Sequence, residues 1–267
     1  GIYTMSIKAS DLVGGGAGRG EVTFAIPGTY TWTCPEGVTS VSVVCVGATA
    51  SSRAISTTNF QAAGGGELRY KNNITVEPGT DYTVTVGAPG ELSGENGGAS
   101  SFESDCVANG SNGRTGGSGG TGDGGGNGGS GSYGGGGAGG YSGNGGAAYF
   151  NGDGNAGAGG GGGAGYGLQY GPRYGGGGVG LFGEGSNGAG GTTSTPAGGG
   201  SGGQPAPDGT RSNMRDGACA GGIFGGGPAS PDYWNSQINT IRGTPGAVRI
   251  VWPGDTRQFP STDVGPS

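Results

Sequence analysis

The sequence predicts an all-β chain: a small β-sandwich carrying a large inserted bundle of polyglycine-II helices, with almost no α-helix. Three observations lead there. Two early blocks alternate β-branched or aromatic residues with polar ones, a long tract dominated by glycine follows, and one further apolar strand stands alone near the end.

The first block, Glu21 to Val46, reads EVTFAIPGTYTWTCPEGVTSVSVVCV. Its alternation is broken at Pro27-Gly28 and at Pro35-Glu36-Gly37, which divides it into three short strands. The second block, Glu67 to Gly87, places Leu68, Tyr70, Ile74, Val76, Tyr82, Val84 and Val86 at apolar positions around the turn Glu77-Pro78-Gly79-Thr80. Two or three more strands are expected from it. The last strand, Ala247 to Trp252, has no local partner. An isolated strand is not stable, so it must return to pair with the early ones, and the glycine tract becomes an insert closed at its base by a sheet. The expected organisation is an N-terminal docking segment over 1–20, a sandwich frame over 21–105 plus 244–260, a glycine bundle with surface loops over 106–243, and a tail over 261–267.

Glycine accounts for 77 of 267 residues, whereas hydrophobic residues make up 30% and charged residues 11%. An ordinary apolar core of this length is excluded. Collagen is excluded too, because Gly175-Gly176-Gly177-Gly178 keeps no three-residue register and 14 prolines are too few. Two conformations remain. A Gly/Ser-rich tract can be a flexible linker. Alternatively, helices of the polyproline-II type, with three residues per turn and outward-pointing amides and carbonyls, can bond to one another once Cβ atoms no longer hold them apart. Ordering a residue costs about 1–2 kcal/mol and a net hydrogen bond returns about 0.5–1.5 kcal/mol. Such a bundle therefore needs several helices at once, clamped by the sheet. The runs Gly116–Gly131, Gly134–Gly146, Gly154–Gly167, Gly175–Gly191 and Gly198–Gly203 suit it, a dozen residues spanning roughly 37 Å.

Several function classes fall away. Histidine is absent, which removes the commonest general base, the commonest zinc ligand and the Ser-His-Asp triad. Neither lysine, Lys8 or Lys71, closes a glycine run with the Gly-Lys-Ser/Thr of a phosphate-binding loop. A net charge of −6 with ten scattered arginines gives no stripe for nucleic acid. No apolar run reaches the roughly 20 residues of a membrane span, and the first residues lack the order of a signal peptide, so a soluble chain without membrane insertion is expected. Cys34, Cys45, Cys106 and Cys219 have no metal-ligand spacing, so no metal or cofactor is expected. Cys34 and Cys45, both in expected strands, read as small buried hydrophobes or as a disulfide. Asp208 and Asp216 read as solvated turn formers rather than an acid/base pair, and no enzyme is expected.

Aromatic residues gather where the glycine runs are interrupted. Tyr166, Tyr170, Arg173 and Tyr174 fall in GYGLQYGPRYGG, and Tyr233 and Trp234 fall in PASPDYWNSQ. Tyr, Trp and Arg carry much of the energy of binding surfaces, which makes these six the candidate receptor-binding residues. The competing reading is that the rings cover faces of the bundle.

The order TYTWTCPEGVTSVSVV, GGGELRYKNNITVEPGTDYTVTVGAPG, GGGGAGGYSGNGG and GAVRIVWPGDTRQFPSTDVG resembles the glycine-rich proteins attributed to tail fibres of marine and cyanobacterial phages, over most of the chain beyond residue 20. The insert also resembles the polyglycine-II domain of tail-fibre tip adhesins from T-even-like phages, whose distal loops contact outer-membrane receptors. The resemblance implies a virion protein of host attachment, located in a tail or capsid fibre. Its implied partners are a bacterial surface protein or glycan and other fibre proteins or copies of itself. The frame is unlike the docking region of the T-even adhesins, and Met5 lies inside a chain that opens on Gly1, as in a processed, tagged or longer polypeptide. The alternative is a structural subunit of a virion decoration or extracellular filament, in which the alternating residues 2–9 add as a strand to a neighbour.

Overall fold

The computed structural model describes residues 18–56, 59–169, 173–206, 220–231 and 240–261. Among them lie strands β1 (Gly20–Phe24), β2 (Gly28–Thr33), β3 (Ser40–Val46), β4 (Ser52–Ser56), β5 (Asn59–Gln61), β6 (Leu68–Thr75), β7 (Asp81–Val86), β8 (Ser100–Phe102), β9 (Cys106–Ala108), β10 (Thr240–Ile241) and β11 (Ala247–Trp252). The described residues contain no α-helix, and the chain is all-β.

The late strand β11 enters between β1 and β3, giving a four-stranded antiparallel sheet in the order β1-β11-β3-β6. Its register sets Ile250 opposite Val22 on one side and Val43 on the other. A second four-stranded sheet runs β2-β7-β8-β9, and β10-β4-β5 form a small third one. The two larger sheets face each other across one core. Val22, Val43, Val248 and Ile250 from the first meet Trp32, Val84, Phe102 and Cys106 from the second. On its outer face the second sheet shows Thr29, Thr31, Thr33 and Thr83 to solvent, the alternation of a half-buried antiparallel sheet.

The first sheet is buried on both faces, which explains why β3 and β11 are apolar almost without a break. Its second face carries Val44, Val46, Leu68, Ala247 and Val251, packed against Ala138, Tyr141, Val179 and Leu181 of the glycine tract. Two charged clasps secure this seam. Glu67, wholly buried, accepts the Arg69 Nε at 2.7 Å, the Asn109 amide at 2.8 Å and the Gly120 amide at 3.1 Å. Arg69 in turn donates to Gly125 O at 3.0 Å and Asn127 Oδ1 at 2.9 Å, which ties β6 to the first glycine loop. On the other side, Glu21 Oε2 pairs with both Arg249 and Arg257, and Arg249 also donates to Leu181 O at 3.0 Å.

The glycine tract is not a linker but a hydrogen-bonded lattice. Along the run 135–140, successive amides turn to three different neighbours and return to each after three residues. Gly135 and Ala138 donate to Tyr174 O and Gly177 O, Gly136 and Gly139 to Ala63 O and Gly66 O, and Gly137 and Gly140 to Gly146 O and Gly143 O, all at 2.9–3.0 Å. The run 62–68 behaves alike: Ala62, Gly65 and Leu68 bond to Ser132 O, Gly129 O and Gly126 O, while Ala63 and Gly66 bond to Pro228 O and Gly225 O. A period of three with every amide aimed outward is what a threefold extended helix requires. The spacing also demands glycine. A Cβ on Gly137 would run into the carbonyl of Gly162, one on Gly65 into that of Gly137, and one on Gly116 into that of Gly128.

Cys34 and Cys45 are buried and free, in line with small core residues and without the bridge considered between them. Residues 2–9, Asp208, Asp216 and Cys219 lie outside the described residues.

Candidate functional site

The lattice runs have two ends of different chemistry. One end, at Ala138–Tyr141 and Val179–Leu181, is seated on the first sheet. At the other, the turns meet one another instead. Ser132 N closes on Gly134 O, Gly152 and Gly167 exchange amide bonds, Gly167 bridges to Arg173, Gly154 N reaches Gly191 O, and Ser230 N reaches Tyr133 O. This distal end is built from the interruptions of the glycine runs, where side chains return.

Arg173 holds these turns together. Its guanidinium donates to Leu168 O at 2.9 Å, Gln169 O at 2.5 Å, Ser230 Oγ at 3.1 Å and Pro231 O at 2.8 Å, and it lies 5.0 Å from the centre of the Tyr133 ring. The fixed fork of a guanidinium suits it to bind several carbonyls at once, and the ring face adds about 0.5–2 kcal/mol of cation–π attraction.

The sequence expectation for these residues is therefore corrected. Tyr166, Arg173 and Tyr174 are 4%, 3% and 6% exposed, so their side chains face the interior and present no contact surface. Arg173 fastens the turns through its hydrogen bonds, and Tyr166 and Tyr174 are packed inside. Tyr170, Tyr233 and Trp234 lie outside the described residues.

The rings that do reach solvent here are Tyr149 and Phe150, 55% and 62% exposed, in the turn AAYFNGD between two glycine runs. Phe150 leans on Tyr133 with ring centres 4.7 Å apart, and Tyr133 is backed by Arg173. The Tyr149 hydroxyl accepts a hydrogen bond from Asn155 Nδ2 at 3.0 Å. Asn151 takes a positive φ of 56°, a conformation that asparagine tolerates, and its Oδ1 accepts the Gln169 amide at 2.7 Å. The result is an exposed aromatic pair on a braced turn, rimmed by the exposed polar residues Asn151, Asp153 and Asn155. The rule that aromatics at interruptions mark the distal turns applies to this dipeptide as well, since the interruption 147–153 is as long as 168–174, and the sequence reading missed it.

Among the described residues no group of three or more His, Cys, Asp or Glu side chains is placed to hold a metal ion. No helix of the described residues is long and apolar enough to cross a membrane.

A sequence-family profile described as a glycine-rich domain matches residues 23–253. The chain belongs to that family. The match takes in the sandwich strands as well as the lattice, so the glycine-rich domain is the two together and not the low-complexity tract alone. No curated protein matches the glycine-rich domain described here.

Proposed function

We propose that this glycine-rich domain is a virion fibre protein or adhesin that attaches a phage to its bacterial host, with the distal turns as the contact surface. The observation that carries this reading is the exposed Tyr149–Phe150 pair, braced through Tyr133 by the buried Arg173. Rigid aromatic side chains with a polar rim are the residue chemistry of recognition, and holding them in place before contact removes part of the entropy cost of binding. The lattice supplies the stiffness, since its amides are bonded to neighbouring runs instead of to water.

A structural role in a virion decoration or filament is the second reading. It is favoured by β2, which among the described residues sits at the edge of its sheet with β7 as its one partner there, and so offers backbone groups to a strand from another copy.

The test uses the full chain, fluorescently labelled, on a panel of marine bacteria that includes cyanobacteria. Binding to particular strains is expected, with at least tenfold weaker binding after Tyr149→Ala and Phe150→Ala together. Equal binding by the variant removes the site. No binding to any strain, with concentration-dependent assembly in light scattering, favours the structural role.

A further inference from the structure

Three free cysteines are buried among the described residues, Cys34, Cys45 and Cys106, and they are not equivalent. Cys34 turns inward on its own loop, its thiol 3.4 Å from Val38 O and 3.8 Å from Pro35 O. Cys45 and Cys106 come from opposite sheets, on β3 and β9. The Cys45 sulfur lies 3.6 Å from Cys106 O, while the Cys106 sulfur lies 3.4 Å from Arg69 O and 3.9 Å from Val43 O. Arg69 is the cross-strand partner of Cys45. The Cys106 thiol thus sits over the residue pair that carries Cys45, and the Cys45 thiol in turn lies against the Cys106 backbone.

We infer that Cys45 and Cys106 are a bridge-forming pair, which closes into a disulfide between the two sheets when the chain folds in the presence of a small-molecule disulfide. One cysteine thiolate attacks a sulfur of the donor, forming a mixed disulfide and releasing one thiol. The second cysteine thiolate attacks the protein sulfur of that mixed disulfide, forming the Cys45–Cys106 bond and releasing the second thiol. Two cysteines are oxidised, one donor disulfide is reduced to two thiols, and the two cysteine protons pass to them.

The timing follows from burial. Both side chains are wholly enclosed in the finished sandwich, and burial first, then the bond to Cys106, pushes the Cys45 thiol well above its ordinary range. A protonated, enclosed thiol does not exchange. The bond therefore forms before the sheets close. Linking residues 61 apart in sequence removes much of the freedom of the unfolded chain, the mechanism by which small cores gain stability from a covalent tie.

The full chain is reduced in denaturant, refolded with reduced and oxidised glutathione, alkylated, digested without reductant and read by mass spectrometry. The expected result is a cross-linked peptide joining Cys45 to Cys106 with Cys34 alkylated, and a melting temperature that falls by roughly 10 °C on adding reductant. Cys34→Ala should give the same cross-link, and Cys106→Ala should lose the response to reductant. Soluble refolded protein with both Cys45 and Cys106 alkylated, or with Cys45 bridged to Cys34 or Cys219, overturns the inference. An equal response to reductant in Cys106→Ala overturns it as well.

Discussion

The guanidinium of Arg173 lies over the ring of Tyr133, 5.0 Å from its centre, and both side chains are buried beneath the exposed ring of Phe150. Positive charge is ordinarily kept at the surface, but here it gathers the carbonyls of Leu168, Gln169 and Pro231 and the hydroxyl of Ser230, from two turns. Replacing Arg173 with alanine leaves those carbonyls without their donor. A loss of about 2–4 kcal/mol in denaturant unfolding is expected, with amide exchange rising first in residues 166–169. Arg173→Lys keeps the charge and loses the fork, and should recover less than half of that loss. Full stability in the alanine variant would remove Arg173 from this role.

Two glycines separate the demands of spacing from those of flexibility. A Cβ at Gly137 would meet the carbonyl of Gly162, whereas one at Gly152 meets nothing within 4 Å. Gly137→Ala should cost about 3 kcal/mol or more, because two lattice runs must move apart. Gly152→Ala should be neutral or stabilise by about 0.5 kcal/mol, through the unfolded chain alone. Melting curves of the two variants side by side decide this, and equal values would mean that the lattice gives way easily.

Tyr141 makes stability depend on alkaline pH. Burial pushes its phenol well above the usual range, outweighing the opposite pull of the Gly183 amide and the Arg249 charge. The folded chain thus holds this proton more tightly than the unfolded chain does. Its contribution is complete below about pH 10 and is lost as pH rises beyond that. Tyr141→Phe removes the titration, and with it the bond to Gly180 O and the acceptor of the Gly183 amide, both at 3.1 Å. The variant should be less stable at neutral pH by about 1–3 kcal/mol, yet lose stability less steeply between about pH 9 and 11. Parallel slopes for the two proteins would count against the assignment.

Glu67 is enclosed with its carboxylate shared among Arg69 and two amides. Glu67→Gln keeps the shape but leaves the guanidinium of Arg69 without its counter-charge. A loss of about 3 kcal/mol is expected in urea unfolding. Near-wild-type stability would show that Gly125 O and Asn127 Oδ1 suffice to hold Arg69.

The strand content was legible where alternation or apolar runs were strong. Ala247–Trp252 could be placed beside early strands from its isolation alone, and it does pair with β1 and β3. Strands β4, β5 and β10 were not legible, because SRAIS, NFQ and TI are short and mixed, and their pairing depends on distant chain. The contact surface was legible only in kind. Composition points to Tyr and Arg at the interruptions, but Tyr166 and Tyr149 both stand near the end of a glycine run, and only packing distinguishes the 4% exposed ring from the 55% exposed one. Similarly, spacing in sequence draws attention to Cys34 and Cys45, whereas the sulfur beside Cys45 comes from β9 across the sandwich.

In the runs 62–68 and 135–140 the return of each amide to the same neighbour after three residues gives this protein a second kind of reading frame. Adding or deleting three residues within a run keeps every later amide in phase, while a change of one or two turns them all toward the wrong partner. The distal turns escape that arithmetic. Diversity in length and sequence can accumulate at the tips while the trunk beneath them changes only in triplets.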